Sequence, residues 1–89
     1  MRETFRWNDW NVDHIAEHGV TPEEAEIVVL RSRSDEVQFA GDGKYLVWGR
    51  GRGGRFLQVI FVRDEDEVCY VIHARPLTTK EKRRFRRKS

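Results

Sequence analysis

Apolar positions change their spacing along the chain, and the changes mark the elements. ETFRW, residues 3–7, alternates like a short strand. Val12, Ile15 and Ala16 then fall on one face of a helical wheel, while Trp7, Trp10, Asn11, His14 and His18 fall on another. This pattern predicts a helix packed on two sides, capped by Asn8 or Asp9 and stopped at His18–Gly19. TPEE, residues 21–24, supplies Thr21 as N-cap, Pro22 at the first helical position and Glu24 at capping-box spacing. A second helix over about residues 22–30 follows, with Ala25, Val28 and Val29 facing the core.

From residue 36 the period falls to two. EVQFA, the turn GDG and KYLVWGR read as a β-hairpin over residues 36–50. GRGG links it to RFLQVIFVR, the strongest strand signal in the chain, and DEDE turns into a last strand, VCYVIHA. Thr78 and Glu81 repeat the capping-box spacing and open a final helix near Thr79. The expected fold is a single α+β domain over residues 1–89. It has a small antiparallel β-sheet, a four-strand meander plus a short N-terminal strand, with an N-terminal helical hairpin on one face and a C-terminal basic helix. A chain of 89 residues has room for one core only.

Charge changes this picture more than composition does. The formal net charge of +2 hides a strong segregation. Residues 1–42 carry ten acidic and four basic side chains, residues 43–63 five basic and no acidic ones. The acidic turn Asp64–Glu67 follows, and residues 80–88 then hold seven Lys or Arg against Glu81 alone. Seven like charges gain nothing from mutual repulsion, so this end calls for an anion: RNA, DNA or an acidic protein. No apolar run approaches the roughly 18 residues of a membrane helix, and the N-terminus lacks a signal-peptide core. The expectation is a soluble cytoplasmic protein without a membrane partner. The single Cys69 cannot close an internal disulfide, and inside VCYVI it reads as a small buried residue.

The candidate chemistry gathers on the basic half. Gly49–Arg55, GRGRGGR, looks like a phosphate-cradling loop, but such a loop must open a helix and here a strand follows. It reads as a turn, with Arg50, Arg52 and Arg55 either solvated or gripping backbone phosphate. His14 and His18 stand four apart as in zinc helices, yet no HExxH pattern surrounds them and a third ligand is missing. No metal site and no cofactor is expected. His73 and Arg75 share side-chain parity at the end of the last strand and so project to one face. One titrates near neutrality and the other is a permanent planar cation suited to phosphate. The competing reading is a surface histidine beside an arginine that pairs with Glu81 or the acidic turn. Lys80, Arg83, Arg84 and Arg87 lie on adjacent turns of the helix that starts just beyond.

Over nearly its whole length the sequence resembles the BrnT toxin family of the RelE/ParE-like toxin group. The likeness is carried by Trp7 and a helix ending in His18–Gly19–Val20, by the EEAE of Glu23–Glu26, and by Gly54–Arg55 before the strongest strand. Ala74–Arg75 closing the last strand, and Thr78 and Glu81 before a basic tail, complete it. The chain departs from the family's usual residues at Glu17 (commonly Lys), Tyr70 (Arg), His73 (often Ser) and Phe85 (Tyr). The resemblance implies a RelE-like fold, a growth-arresting endoribonuclease and a cognate antitoxin. That antitoxin binds the toxin tightly and represses its own operon, so DNA is reached only through it. A homodimer or a 2:2 toxin–antitoxin complex would be the assembly. The implied chemistry is metal-free: the RNA 2′-hydroxyl attacks the adjacent phosphate, which requires a base, cations for the phosphorane and an acid for the leaving oxygen.

The leading expectation is therefore a ribonuclease toxin. Arg55 and Arg75 hold the scissile phosphate, His73 is base or acid, and Lys82 or Arg83 neutralises developing charge. Arg50, Arg52, Lys80, Arg83, Arg84 and Arg87 bind flanking RNA, and the antitoxin blocks this basic face. The alternative is a non-catalytic basic module that binds RNA or docks an acidic partner.

Overall fold

The computed structural model describes residues 3–88. The elements run β1 (Phe5–Arg6), α1 (Asp9–Ala16), α2 (Pro22–Arg31), a 3-10 turn (Ser34–Glu36), β2 (Gln38–Gly41), β3 (Lys44–Arg50), β4 (Phe56–Arg63), β5 (Cys69–Pro76) and α3 (Thr79–Lys88). They form a small α+β domain with three helices and a five-strand sheet in the order β1-β5-β4-β3-β2. The expected meander is β2 to β5. The sheet as a whole is mixed rather than antiparallel, because β1 runs parallel to β5, Phe5 opposite Cys69 and Arg6 opposite Tyr70. A strand that reaches β5 from before two helices arrives from the far side of the fold, so no hairpin constrains its direction.

Each start signal works locally. Asn8 accepts the Asn11 backbone N–H and Asn11 returns the bond to Asn8, closing a capping box on α1. Thr21 and Glu24 do the same for α2, and Thr78 and Glu81 for α3. The first helix is shorter than expected. It ends at Ala16, and a turn carries the chain to Gly19, whose φ of +71° is the left-handed conformation that favours glycine. Its core face also differs, since Ala16 is exposed and Asn11 is buried instead. Asn11 can be buried because its amide donates to the Arg6 carbonyl at 3.1 Å while its oxygen accepts from Asn8.

One face of the sheet packs α2 and Ile15 of α1 over Val47, Leu57, Val59, Phe61, Val71 and Ala74. Cys69 lies in this core, and burial pushes its thiol up to about 12, which leaves it inert. Val28 of α2 approaches Gly49, and a Cβ on the buried Gly51 would stand 3.0 Å from the Glu24 carbonyl and from Leu57. Glycine at these two positions lets α2 settle onto the β3–β4 link. The GRGRGGR segment is therefore a turn pinned under a helix rather than one standing free.

Among the described residues no helix is long and apolar enough to cross a membrane. The N-terminal stretch is tied down by ion pairs, Glu3 with Arg63 at 2.7 Å and Arg6 with Asp64 at 2.6 Å.

Candidate functional site

Cross-strand register defines the second face of the sheet. Leu46, Ile60 and His73 form one row across β3, β4 and β5; Trp48, Gln58 and Arg75 form the next; Lys44, Val62 and Tyr70 form the one before. An irregularity in β5 decides which side chains meet here. Ile60 pairs with His73 and Phe61 with Val71, which leaves Ile72 without a partner as the extra residue of a bulge. Tyr70 and His73, three apart, would point to opposite faces of a regular strand. The bulge puts them on the same one.

α1 packs against β5 so that its polar face closes over this row. The His18 ring meets that of His73 edge-on at 5.1 Å, and the His14 ring lies 5.9 Å from it. Trp10 stacks on His14 with centroids 5.0 Å apart and planes 6° from parallel, and it also stacks beside Tyr70 at 6.3 Å. Tyr70 is held in turn by a bond from its hydroxyl to Asn8 Oδ1 at 3.1 Å. His14 and His18 thus join His73, where sequence reasoning had left them on a helix face. The signal that marks them is a helix whose second face, Trp10, His14 and His18, is aromatic and ionisable rather than charged and solvated.

His73 is half-buried, and its pKa lies below the ordinary imidazole value, first because burial disfavours the imidazolium and then because His18, His14 and Arg75 add positive charge around it. It is the neutral form, able to accept a proton, that this environment favours. Among the described residues no group of three or more His, Cys, Asp and Glu side chains is disposed to hold a metal ion.

Arg75 shares the face with His73, as its parity predicts, but its guanidinium is already engaged. Nη1 and Nη2 each donate to Glu81 at 2.8 Å, and Nη2 also reaches Gln58 Oε1 at 3.3 Å. Gln58 accepts from the Trp48 indole as well, at 2.9 Å, so a polar relay runs under α3. The two arginine nitrogens draw the Glu81 carboxyl down to about 2, with help from the Thr78 N–H.

Arg55 is not brought to His73. It is turned toward the α1–α2 junction, where Glu24 takes it at 2.8 and 3.0 Å and the Gly19 carbonyl at 2.7 Å. Among the described residues no hydrogen bond, ion pair or ring contact ties it to His73 or Arg75. Arg52 likewise pairs with Glu23, and Arg50 lies over the Phe56 ring.

The last helix differs. Phe85 meets Phe56 edge-on at 5.7 Å and Arg84 sits over Trp48, which fixes α3 across one end of the open face. Lys80, Arg83, Arg84 and Arg87 are exposed and Lys82 is half-buried. Among the described residues no carboxylate pairs with any of these five.

Comparison with family models, with curated proteins and with solved structures finds no match to this chain. What defines the site is its own chemistry: His73, whose surroundings disfavour its imidazolium, in ring contact with His14 and His18 on the sheet face that Arg75 shares, beside a helix rich in cations.

Proposed function

We propose that this protein is a metal-independent endoribonuclease and the toxin of a two-component toxin–antitoxin pair. The motif order that resembles the BrnT family supports the pairing with an antitoxin. The observation that carries the chemistry is the contact of His73 with His14 and His18 on the sheet face that Arg75 shares.

Neutral His73 takes the proton of an RNA 2′-hydroxyl as O2′ bonds to the adjacent phosphorus. His14 or His18 gives a proton to the 5′-oxygen as the P–O5′ bond breaks. The products are a 2′,3′-cyclic phosphate and a 5′-hydroxyl, so protons and charge balance without a metal. Lys82 and the other cations of α3 offset charge on the phosphorane, with Arg75 positioned beside them by Glu81. Arg55 serves this reading as a prop of the scaffold. An antitoxin that covers the α3 side of the sheet inhibits by occupying the substrate's place, in a 2:2 or simpler complex.

The experiment is incubation of the purified chain with a defined RNA in EDTA, alongside His73→Ala. Loss of one general base lowers the rate by about 10²- to 10⁴-fold. Equal cleavage by both proteins, or products without cyclic-phosphate ends, defeats the reading. The second reading, a non-catalytic basic module for RNA or an acidic partner, draws on one observation: Arg75, two residues along β5 from His73, is spent on Glu81. It predicts salt-sensitive binding and no new ends.

A further inference from the structure

Of the three tryptophans, two have ordinary structural employment. Trp7 donates its indole N–H to Glu26 at 2.7 Å and Trp48 donates to Gln58 at 2.9 Å, and both are half-buried. Trp10 is 56% exposed, and its N–H has no partner among the described residues. An exposed indole adds nothing to the core, yet this one is held in place. It lies parallel to His14, four residues on along α1, and beside Tyr70, which Asn8 fixes in turn. Preorganised aromatic surface with a free donor at its edge is the construction that takes a flat partner by stacking.

Its position says which flat partner. Trp10 and His14 on α1 and His18 in the turn just after it line up beside Tyr70 and His73 on β5, with the α3 cations beyond Arg75. A chain with bases and phosphates in strict alternation meets, in order, an aromatic plate, imidazoles and positive charge. We propose that Trp10, backed by His14 and Tyr70, is the stacking platform for one unpaired nucleobase of the strand bound at His73. This rests on the nucleic-acid reading above and narrows it to single strands. In a duplex both faces of each base are covered by its neighbours, so no base is free to lie on the indole. One nucleotide then spans from the platform to the imidazoles, and the base on Trp10 sets which phosphate His73 meets.

The test is binding of a labelled single-stranded RNA oligomer with 2′-O-methyl riboses, which cannot be cleaved by 2′-hydroxyl attack. Fluorescence anisotropy is recorded for the wild type, Trp10→Ala and Trp10→Phe. A strand of the same length with abasic sugars, and the matching duplex, are run beside it. Stacking of one base is worth about 1–3 kcal/mol, so Trp10→Ala should weaken the oligomer by about tenfold while Trp10→Phe retains most of the affinity. The abasic strand and the duplex should bind both variants as they bind the wild type. Undiminished binding of the oligomer by Trp10→Ala overturns the proposal. So does an equal loss on the abasic strand, which would make Trp10 a support of the fold. Because the probe resists cleavage, the result stands apart from the nuclease assay. A tenfold Trp10 effect in a protein without nuclease activity keeps the platform and sinks the enzyme; cleavage without a Trp10 effect does the reverse.

Discussion

The chain uses one device twice. In both TPEE and TTKE a threonine caps a helix, and the glutamate at its third position closes the box and grips an arginine with both oxygens: Glu24 holds Arg55, and Glu81 holds Arg75. The surroundings make the two clamps different. Around Glu24 the helix brings its own acids, Glu23 takes Arg52, and two of the three arginines of the turn, Arg52 and Arg55, end up neutralised against α2. In α3 itself Glu81 is the only acid. Lys80, Lys82, Arg83 and Arg84 keep their charge, and His73 stands two residues before the clamped arginine. Similar runs of arginine in a sequence thus become a strut in one place and an unsatisfied cationic edge in the other. What separates them is the carboxylates that the fold delivers.

The largest expected effects come from breaking each clamp. Glu24→Ala and Glu81→Ala each remove a capping-box acceptor and an arginine partner, so each should cost about 2 kcal/mol, a Tm loss of roughly 10 °C in a domain of this size. The variants should part in activity. Measured well below its melting point, Glu24→Ala should cleave RNA like the wild type, whereas Glu81→Ala should lose cleavage because Arg75 and α3 are no longer held beside His73. Gln at position 81 keeps the cap and restores part of the stability. If both Ala variants cleave alike, the division between strut and working edge is wrong.

A smaller effect separates the two arginine runs directly. Each phosphate contact on a single strand adds about 0.7 to the slope of log affinity against log salt. Replacing Arg83 and Arg87 together by Ala should reduce that slope by about 1.4 and weaken RNA binding several-fold. Arg52→Ala should leave the slope unchanged, since that charge is already met by Glu23. A salt titration of the oligomer with the three proteins decides it, and an equal change from Arg52 would merge the two regions into one binding surface.

The elements themselves were legible, because their signals are local: two capping boxes and an asparagine cap, the GDG turn, and apolar periods of 3.6 and 2. Cys69, Ala25, Val28 and Val29 fell inside as their neighbours predict. The direction of β1 was not, since a two-residue strand carries no mark of the neighbour it will choose. The site was half legible. His73 and Arg75 follow from strand parity alone, but the bulge at Ile72 has no glycine or other local cue, and without it Tyr70 belongs to the wrong face. His14 and His18 looked like a failed metal pair, because their partner is 59 and 55 residues away and comes from the packing of α1 on β5. Arg55 looked free for the same reason: Glu24 and Gly19 reach it only in the folded chain.

The smallest effect is a pH dependence that tells the two regions apart without any RNA. His73 has a folded pKa below that of the unfolded chain, so the unfolded state binds more protons as pH falls. Its contribution is in place above the ordinary imidazole value near 6.5 and is lost as pH drops through the folded value. The clamp at Glu81 has the same sign in a lower window, intact above the ordinary glutamate value of 4.5 and lost as pH falls toward about 2. Urea melts between pH 7.5 and 5.5 should show stability declining in the wild type, and less steeply in His73→Asn, which cannot take up the proton. Below pH 4.5 the two proteins should decline in parallel, since both retain the Glu81 and Glu24 clamps. An identical decline from 7.5 to 5.5 would mean that His73 meets water as freely in the fold as out of it. The ring contacts with His14 and His18 would then place no electrostatic constraint on it, and the case for a base held neutral at that position would go with them.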